Sequence, residues 1–219
     1  RRAAAGGAAQ RPFVFLSIFK WEERKGWDAL LDAYFSEFDA HADNVMLLIH
    51  TYTMGMELNE QTPEMYDYNV MQWLASSAEG ERLCEARGLN TRTLTRVQPD
   101  TVLAHFAPVR FSVREMPALM MPAMYKAADA YVSAHRGEGW GMPLMEAMAM
   151  ALPTIGTNYS GNVDFMTDDN SYLLPIKTLS NSDNQWEFSD SGGQWGEPDR
   201  RELRRLMRHV YEERDEARA

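Results

Sequence analysis

Short runs of continuously apolar residues, separated by segments with helical periodicity, constrain the fold of this 219-residue chain more than any other feature. The clearest runs cover residues 13–18, 44–50, 130–134 and 153–156, and each predicts a buried strand. Apolar strands that alternate with amphipathic helices are typical of a parallel sheet covered on both faces. The sequence therefore predicts an α/β fold, a doubly wound, Rossmann-like parallel sheet, with residues 130–134 near its centre.

The segments between these runs supply the remaining elements. Helices are predicted over residues 27–38, 63–87, 115–127 and 142–151, and a last helix is predicted from about Pro198. A further strand is predicted at Thr93–Val97 and a turn at Asp168–Asp169. Residues 177–198, rich in Ser, Asn, Asp and Gly, are predicted to form a long loop in which Trp186 and Trp195 pack.

The domain organisation follows from length and composition. Residues 1–12 are low in complexity and rich in Ala, Gly and Arg, which predicts a disordered linker. Residues 13–219 suit one domain, because a chain that is 45% hydrophobic at this length can bury a substantial core. Residue 1 is Arg, and we expect the chain to be a fragment or a processed piece of a longer protein.

Charge and cysteine content narrow the class of protein. The formal net charge is -10, from 32 acidic and 22 basic residues, and no basic patch of the kind that binds nucleic acid is evident. Cys84 is the only cysteine, so no intrachain disulfide can form. No apolar run approaches the roughly 20 residues of a membrane helix. The compartment stays open, with the cytoplasm favoured.

The segment Arg136–Met150, RGEGWGMPLMEAMAM, follows a predicted strand and opens a predicted helix. Gly137, Gly139 and Gly141 allow a tight turn and close approach to a ligand. The start of a helix presents free N–H groups and a partial positive charge, which together favour an anion. Because ligands of open α/β sheets lie at the carboxyl ends of strands, the sequence predicts a phosphate site here.

Glu138 and Glu146 flank this turn with seven residues between them. A carboxylate in the first turns of the helix can accept two hydrogen bonds from a vicinal diol such as that of ribose. Alternatively, Glu138 is a solvated loop charge and Glu146 a helix residue that interacts with the positive end of the dipole. The two carboxylates, the three glycines and the strand–turn–helix setting together favour a binding site.

This segment resembles the donor-binding motif of the family 4 glycosyltransferases, whose GT-B fold has two facing Rossmann-like domains. The resemblance covers roughly residues 13–215. EGWGMPLMEAMAM, residues 138–150, matches the family's Glu-x7-Glu motif, and TIGTNYSGNVDFM, residues 154–166, matches the segment after it. SIFKWEERKG, residues 17–26, occupies the place of the first phosphate-binding turn, with Lys20 where Arg is commoner. Ala151 stands where Gly is common, which we interpret as a packing difference.

The resemblance implies a role for each matching residue. Glu146 would hold the donor ribose, and Glu138 would contact the donor sugar, with Glu138 and Lys25 as the catalytic pair. Lys20 and Lys25 would neutralise the diphosphate. The backbone of the helix start would contact the phosphate. The donor-binding set is Lys20, Lys25, Glu138, Gly139, Gly141, Met142, Pro143, Leu144 and Glu146.

The charge chemistry supports the lysines independently of the resemblance. Departure of a nucleoside diphosphate puts negative charge on the β-phosphate, which nearby cations stabilise. By themselves Lys20, Arg24 and Lys25 would be interpreted as a solvated basic turn, and only the carboxylate pair favours the binding role for the two lysines. We predict no metal and no cofactor, and a structural role for His135.

The resemblance identifies the chain as the C-terminal, donor-binding domain of a retaining, hexosyltransferase-like glycosyltransferase. The acceptor, whether glycan, lipid or protein, is unknown, and the N-terminal acceptor domain would be missing from this chain. Two alternatives stay open. The chain could be a non-catalytic module that binds a nucleotide sugar, or a different enzyme on a related fold, such as an epimerase or a phosphorylase-like enzyme.

Overall fold

A computed structural model describes residues 11–94, 96–181, 193–214 and 217. Its main feature is a six-stranded sheet with the order β3-β2-β1-β4-β5-β6, in which every pair of neighbours is parallel. The strands are β1 Phe13–Lys20, β2 Val45–Tyr52, β3 Val109–Ser112, β4 Ala130–Ser133, β5 Thr154–Thr157 and β6 Tyr172–Leu174. This confirms the predicted Rossmann-like sheet and the central position of residues 130–134.

Helices cover both faces of the sheet. They are α1 Trp27–Glu37, α2 Pro63–Ser76, α3 Ala78–Glu85, α4 Thr91–Leu94, α5 Pro99–Leu103, α6 Met121–Ala127, α7 Met142–Ala149 and α8 Arg200–Glu212. Alternate side chains of β1 enter different cores: Phe15 packs with residues of α1, α2 and α8, whereas Leu16 packs with residues of α6 and α7. Because both faces are covered, consecutive residues of β1 such as Phe15 and Leu16 are both apolar and buried.

The strand predicted at Thr93–Val97 is wrong. Thr93 belongs to the short helix α4, and the third strand is β3, at the edge of the sheet. Asn90 caps the helical turn, since its side-chain oxygen accepts from Arg92 N at 3.1 Å and its carbonyl accepts from the Thr93 hydroxyl at 2.9 Å. Such local bonds overrode the β propensity of Thr93, and Thr95 of the predicted strand lies outside the described residues.

The helix predicted over residues 63–87 is two helices. The chain extends at Ser77, with φ -100° and ψ 154°, and the Ser77 hydroxyl accepts from Gly80 N at 2.9 Å to start α3. Gly80 allows the two helices to approach closely, because a Cβ there would lie 2.4 Å from Leu74 Cα. The helix predicted from residue 115 begins only at Met121, after a 3₁₀ turn over Ala118–Met120.

The loop predicted over residues 177–198 is also wrong at its ends. Ile176–Asn181 and Gln194–Pro198 pair as antiparallel strands, β7 and β8, in a separate two-stranded sheet. Trp195 is buried in β8. Residues 182–192, including Trp186, and residues 1–10 of the predicted linker lie outside the described residues, whereas Arg11 pairs with Asp129 at 2.7 Å.

Ala151 follows α7 in the left-handed region, with φ 55°. The Leu152 N–H bonds Ala147 O at 3.1 Å, which closes the helix with the bonds of a left-handed C-terminal cap. A glycine at this position therefore has a conformational reason, and the interpretation of Ala151 as a packing difference is wrong. The predicted turn at Asp168–Asp169 is confirmed. None of the described helices combines the length and apolarity needed to cross a membrane.

Candidate functional site

The turn after β1 is shaped by a glycine. A 3₁₀ turn at Glu23–Lys25 ends at Gly26, whose φ of 64° is left-handed. A Cβ on Gly26 would lie 1.9 Å from Ala134 O, so only glycine lets this turn approach the end of β4. Trp21 and Trp27 stack on either side of the turn, with ring centroids 4.7 Å apart. The turn that carries Arg24 and Lys25, just after Lys20 at the end of β1, therefore has a fixed position against β4.

The turn after β4 ends at Gly141, which has φ 84° and directly precedes α7. Pro143 has no N–H, and the Leu144 N–H bonds Gly141 O at 2.9 Å. Of the four residues Gly141–Leu144 expected to contact phosphate, only Gly141 and Met142 keep an N–H without an acceptor among the described residues. The start of α7 thus offers two backbone donors rather than four.

The two turns meet through side chains that lie 113 positions apart. Lys25 Nζ and Glu138 Oε1 are 2.5 Å apart, and both side chains are less than 15% exposed. Arg24 donates to Gly137 O at 2.7 Å, and the Arg136 N–H donates to Arg24 O at 2.7 Å. The structure therefore joins the two residues that the resemblance nominated as a catalytic pair.

Glu22, which the sequence patterns did not indicate, pairs with both Lys20 and Arg24. Its carboxylate is 2.6 Å from Lys20 Nζ and 2.7 Å from the Arg24 guanidinium. Lys20 Nζ also donates to Met54 Sδ at 3.1 Å. Every cation of the first turn thus has a carboxylate partner, which an incoming anion would share or displace.

The loop after β5 holds the backbone of Glu138. Ser160 Oγ accepts from Glu138 N at 2.7 Å, and the Gly161 N–H donates to Glu138 O at 3.1 Å. A Cβ on Gly161 would lie 2.0 Å from Gly139 O, so the two loops are in direct contact. This accounts for the matched segment 154–166, whose Ser160 and Gly161 position Glu138.

Glu146 has different surroundings from Glu138. Tyr125 of α6 donates its hydroxyl to Glu146 Oε2 at 2.6 Å, and no cation within the described part of the chain pairs with Glu146. The buried Tyr131 hydroxyl donates to Ile18 O at 3.2 Å. Burial raises the pKa of Tyr131, and the charges of Glu138 and Glu146 raise it further. The resemblance includes Tyr125 in the matched segment of residues 125–141 but gives it no role, and its contact with Glu146, 21 positions along the chain, appears only in the structure.

Arg136 bonds to residues of three segments: the turn after β1, α1 and β8. Its guanidinium, 5% exposed, bonds Asp28 through two nitrogens at 2.8 Å, Glu197 at 2.8 Å and Glu23 O at 2.6 Å. Burial lowers the pKa of Arg136, but Asp28 and Glu197 outweigh burial and hold that pKa above its ordinary value. This bidentate pair fixes the turn after β4 against α1 and β8.

His135 is fully buried, and neither ring nitrogen has a hydrogen-bond partner among the described residues. Burial, with the charges of Lys25 and Arg24, lowers the pKa of His135 to about 3. The imidazole is therefore neutral at physiological pH. A structural role for His135 remains a prediction.

A cleft of about 340 Å³ opens where these turns meet. It is lined by Ile18, Phe19, Lys20, Glu22, Arg24, Lys25, His50, Tyr52, Met121 and Pro143. A second cleft of about 450 Å³ shares His50 and Tyr52 and continues to residues 113–116. Larger cavities of about 660 and 520 Å³ lie away from the turns. We place the candidate site at the first cleft, because three basic side chains and the start of α7 converge there.

Comparison with known proteins gives a family match for part of the chain and a fold for most of it. Residues 112–184 match the family "glycosyl transferases group 1". A 71-residue segment is 37% identical to the UDP-N-acetylglucosamine–peptide N-acetylglucosaminyltransferase GtfA subunit of Streptococcus agalactiae. That segment covers 32% of this chain and 14% of the relative.

Solved structures agree in architecture. The C-terminal domain of a glycosyl transferase group 1 family protein from Francisella tularensis has a TM-score of 0.55 at 18% identity, covering 96% of this chain and 86% of that chain. Anabaena HepE in complex with UDP has a TM-score of 0.58 at 16% identity, covering 95% of this chain and 41% of that chain. These likenesses show that the fold is that of the C-terminal domain of a GT-B protein.

Proposed function

We propose that this chain is the donor-binding domain of a retaining glycosyltransferase that uses a nucleoside-diphosphate sugar. The match of residues 112–184 to the group 1 glycosyltransferases and the GT-B fold support this proposal. One observation carries the proposal. The ion pair of Lys25 with Glu138 places a cation and a carboxylate together beside the start of α7. A diphosphate needs the cation and the helix start, and a sugar hydroxyl needs the carboxylate.

The diphosphate binds to the basic side of the cleft. Lys20, Arg24 and Lys25 line it, and the free N–H groups of Gly141 and Met142 lie at the start of α7. In the transfer step, the bond from the sugar C1 to the phosphate oxygen breaks and the diphosphate keeps the electron pair. These donors stabilise the charge that develops there. The acceptor oxygen bonds C1, and its proton passes to the phosphate oxygen that has just left C1.

The two carboxylates bind hydroxyl groups. When the diphosphate takes over as counter-ion of Lys25, Glu138 is free to accept from the donor sugar. Its backbone stays fixed by Ser160 and Gly161, so its position does not depend on the ion pair. Glu146 accepts from the ribose. The donor base, the sugar and the acceptor, whether glycan, lipid or protein, are not specified by these contacts.

The test compares binding of UDP and of uridine by calorimetry in wild type and Lys25→Gln. We expect the substitution to weaken UDP at least about tenfold, on the scale of one charge-assisted hydrogen bond, and to leave uridine unchanged. Lys177→Gln, which removes an exposed lysine of β7, is the matched control. GDP and guanosine form a second pair, in case the chain does not accept uracil.

Equal loss of UDP and uridine affinity would show that Lys25 supports the fold and not the phosphate. Binding of UDP that requires a divalent cation, and is abolished by EDTA, would refute neutralisation by these side chains alone. Binding without transfer in the full-length protein would favour the alternative of a non-catalytic nucleotide-sugar module.

A further inference from the structure

We infer that Tyr125 is a positioning residue that aims the Glu146 carboxylate at the ribose of the donor nucleotide. The inference rests on the proposed function, because it deepens the role of Glu146. Tyr125 does not have to touch the nucleotide for this role. It acts by fixing which carboxylate oxygen remains available.

The contact is short and well placed. The Tyr125 hydroxyl donates to Glu146 Oε2 at 2.6 Å, and its only other acceptor among the described groups is Pro143 O, at 3.4 Å. No other hydrogen bond to the Glu146 carboxylate comes from residues 11–94, 96–181 or 193–214. One oxygen of Glu146 is therefore fixed, and Oε1 keeps its full capacity to accept.

The missing counter-ion indicates the kind of ligand. Glu138, in the neighbouring turn, is paired with Lys25. Glu146 is half-buried, and within the described part of the chain its carboxylate meets only the neutral hydroxyl of Tyr125. A half-buried carboxylate needs hydrogen-bond donors for its oxygens, and Tyr125 supplies only one of them. The vicinal diol of a ribose supplies two such donors without bringing a charge.

The core holds Tyr125 in place. Its ring is 1% exposed and packs in the same apolar cluster as Tyr131, Leu144 and Ala147. Leu144 and Ala147 belong to α7, the helix that carries Glu146. Burial, with the hydrogen bond to Glu146, also raises the pKa of Tyr125, so the hydroxyl stays protonated and donates. The donor position is thus set by the packing of α6 on α7.

The experiment measures ribose discrimination, defined as the ratio of the dissociation constants of 2′,3′-dideoxy-UDP and UDP. Wild type should prefer UDP about tenfold or more, the fold-change of one hydrogen bond to a charged group. Glu146→Ala should bring the ratio close to one, and Tyr125→Phe should reduce it severalfold. Tyr34→Phe is the control, because it removes a buried hydroxyl that donates to Pro108 O in another part of the core.

The double variant Tyr125→Phe with Glu146→Ala separates positioning from a general effect on the fold. If Tyr125 acts through Glu146, the double variant has the same ratio as Glu146→Ala. Thermal unfolding of each variant checks the folded fraction. If Tyr125→Phe is not folded, 4-fluorophenylalanine at position 125 keeps the ring volume, removes the donor and is titrated in its place.

The outcomes are distinct. Full discrimination in Tyr125→Phe together with its loss in Glu146→Ala would overturn the positioning role and leave the proposed function intact. Full discrimination in Glu146→Ala would instead remove the ribose role of Glu146, and the positioning role of Tyr125 with it, whereas the proposed function itself fails only in the comparison of UDP with uridine in Lys25→Gln. GDP and its dideoxy analogue are used in the same way if UDP does not bind.

Discussion

At the scale of single residues, Glu138 and Glu146 carry the same charge but have different partners, which suits them to different ligand groups. Glu138 has a cation beside its carboxylate and a backbone held by the loop after β5. Glu146 has a tyrosine hydroxyl and no cation among the described residues. The pair of Glu138 with a cation suits a site that binds a phosphate group. The pair of Glu146 with a hydroxyl suits recognition of a neutral diol.

Glu146→Ala should weaken nucleotide binding more than Glu146→Gln. Alanine removes both acceptors of the ribose diol, whereas glutamine keeps one carbonyl oxygen that can accept from Tyr125 or from ribose. The loss for alanine should be roughly 1.5–3 kcal/mol, the range for hydrogen bonds to a charged group. Calorimetry with UDP and GDP measures it. Unchanged affinity for every nucleotide that wild type binds would reduce Glu146 to an ordinary helix residue.

His135 should make the fold sensitive to acid. Its pKa in the folded chain is about 3, below the ordinary 6.5, so between these values the unfolded chain binds a proton that the folded chain does not. The contribution of neutral, buried His135 to the free energy of unfolding is therefore complete above about pH 6.5 and is lost as the pH falls towards 3. The slope is at most about 1.4 kcal/mol per pH unit.

His135→Leu should accordingly lose less stability than wild type between pH 7 and pH 4.5. Urea unfolding at several pH values gives the two slopes. His41→Gln, which replaces an exposed histidine, is the control and should follow wild type. Parallel slopes for wild type and His135→Leu would show that His135 is protonated in the folded chain or exposed in it.

At the scale of elements, the turns after β1, β4 and β5 behave as one unit. Arg136 bonds the first turn, α1 and β8, and Gly196 N donates back to Arg136 O at 2.9 Å. The hairpin of β7 and β8 is therefore part of the support of the site. At the end of α7, Ala151 has a left-handed backbone that alanine does not favour.

Ala151→Gly should stabilise the domain by about 1 kcal/mol, because a left-handed backbone is strained for alanine and free of strain for glycine. The gain is measured as a shift of the urea midpoint without a change in slope. Ala149→Gly, two residues earlier and inside α7, is the opposite control and should cost about 1 kcal/mol. Destabilisation by both substitutions would mean that packing, and not conformation, decides position 151.

At the scale of the whole molecule, the groups proposed to bind the donor all belong to one edge of one sheet. The chain spans about two fifths of the length of HepE, whose fold it shares. Transfer also needs an acceptor hydroxyl held against the donor sugar, and orientation of two reactants contributes as much as about 7–11 kcal/mol.

The 219-residue chain by itself should therefore bind a nucleotide sugar weakly and transfer the sugar slowly or not at all. Water has access to an open cleft, so slow hydrolysis of the donor should exceed glycoside formation. Nucleotide release and glycoside product are followed separately with UDP- and GDP-sugars and a panel of acceptors. Rapid glycoside formation would show that the acceptor site lies within these residues.

Much of the fold could be predicted because it is written in local patterns. A run such as residues 13–18 is typical of a strand buried on both faces of a covered parallel sheet, and the glycines before α7 favour a turn and a helix start. The same reasoning failed at Thr93 and Ser77, where hydrogen bonds between side chains and the backbone favoured the start of a helix.

The sequence by itself determined the parallel sheet, the central strand at residues 130–134 and the strand–turn–helix that carries Glu138 and Glu146. Only the tertiary structure decided which groups meet: Lys25 with Glu138, Tyr125 with Glu146, Arg136 with Asp28 and Glu197. The physical reason is that strand order brings the carboxyl ends of β1, β4 and β5 to one edge. Pairing across such an edge depends on distances between elements, and no short-range pattern in the chain encodes those distances.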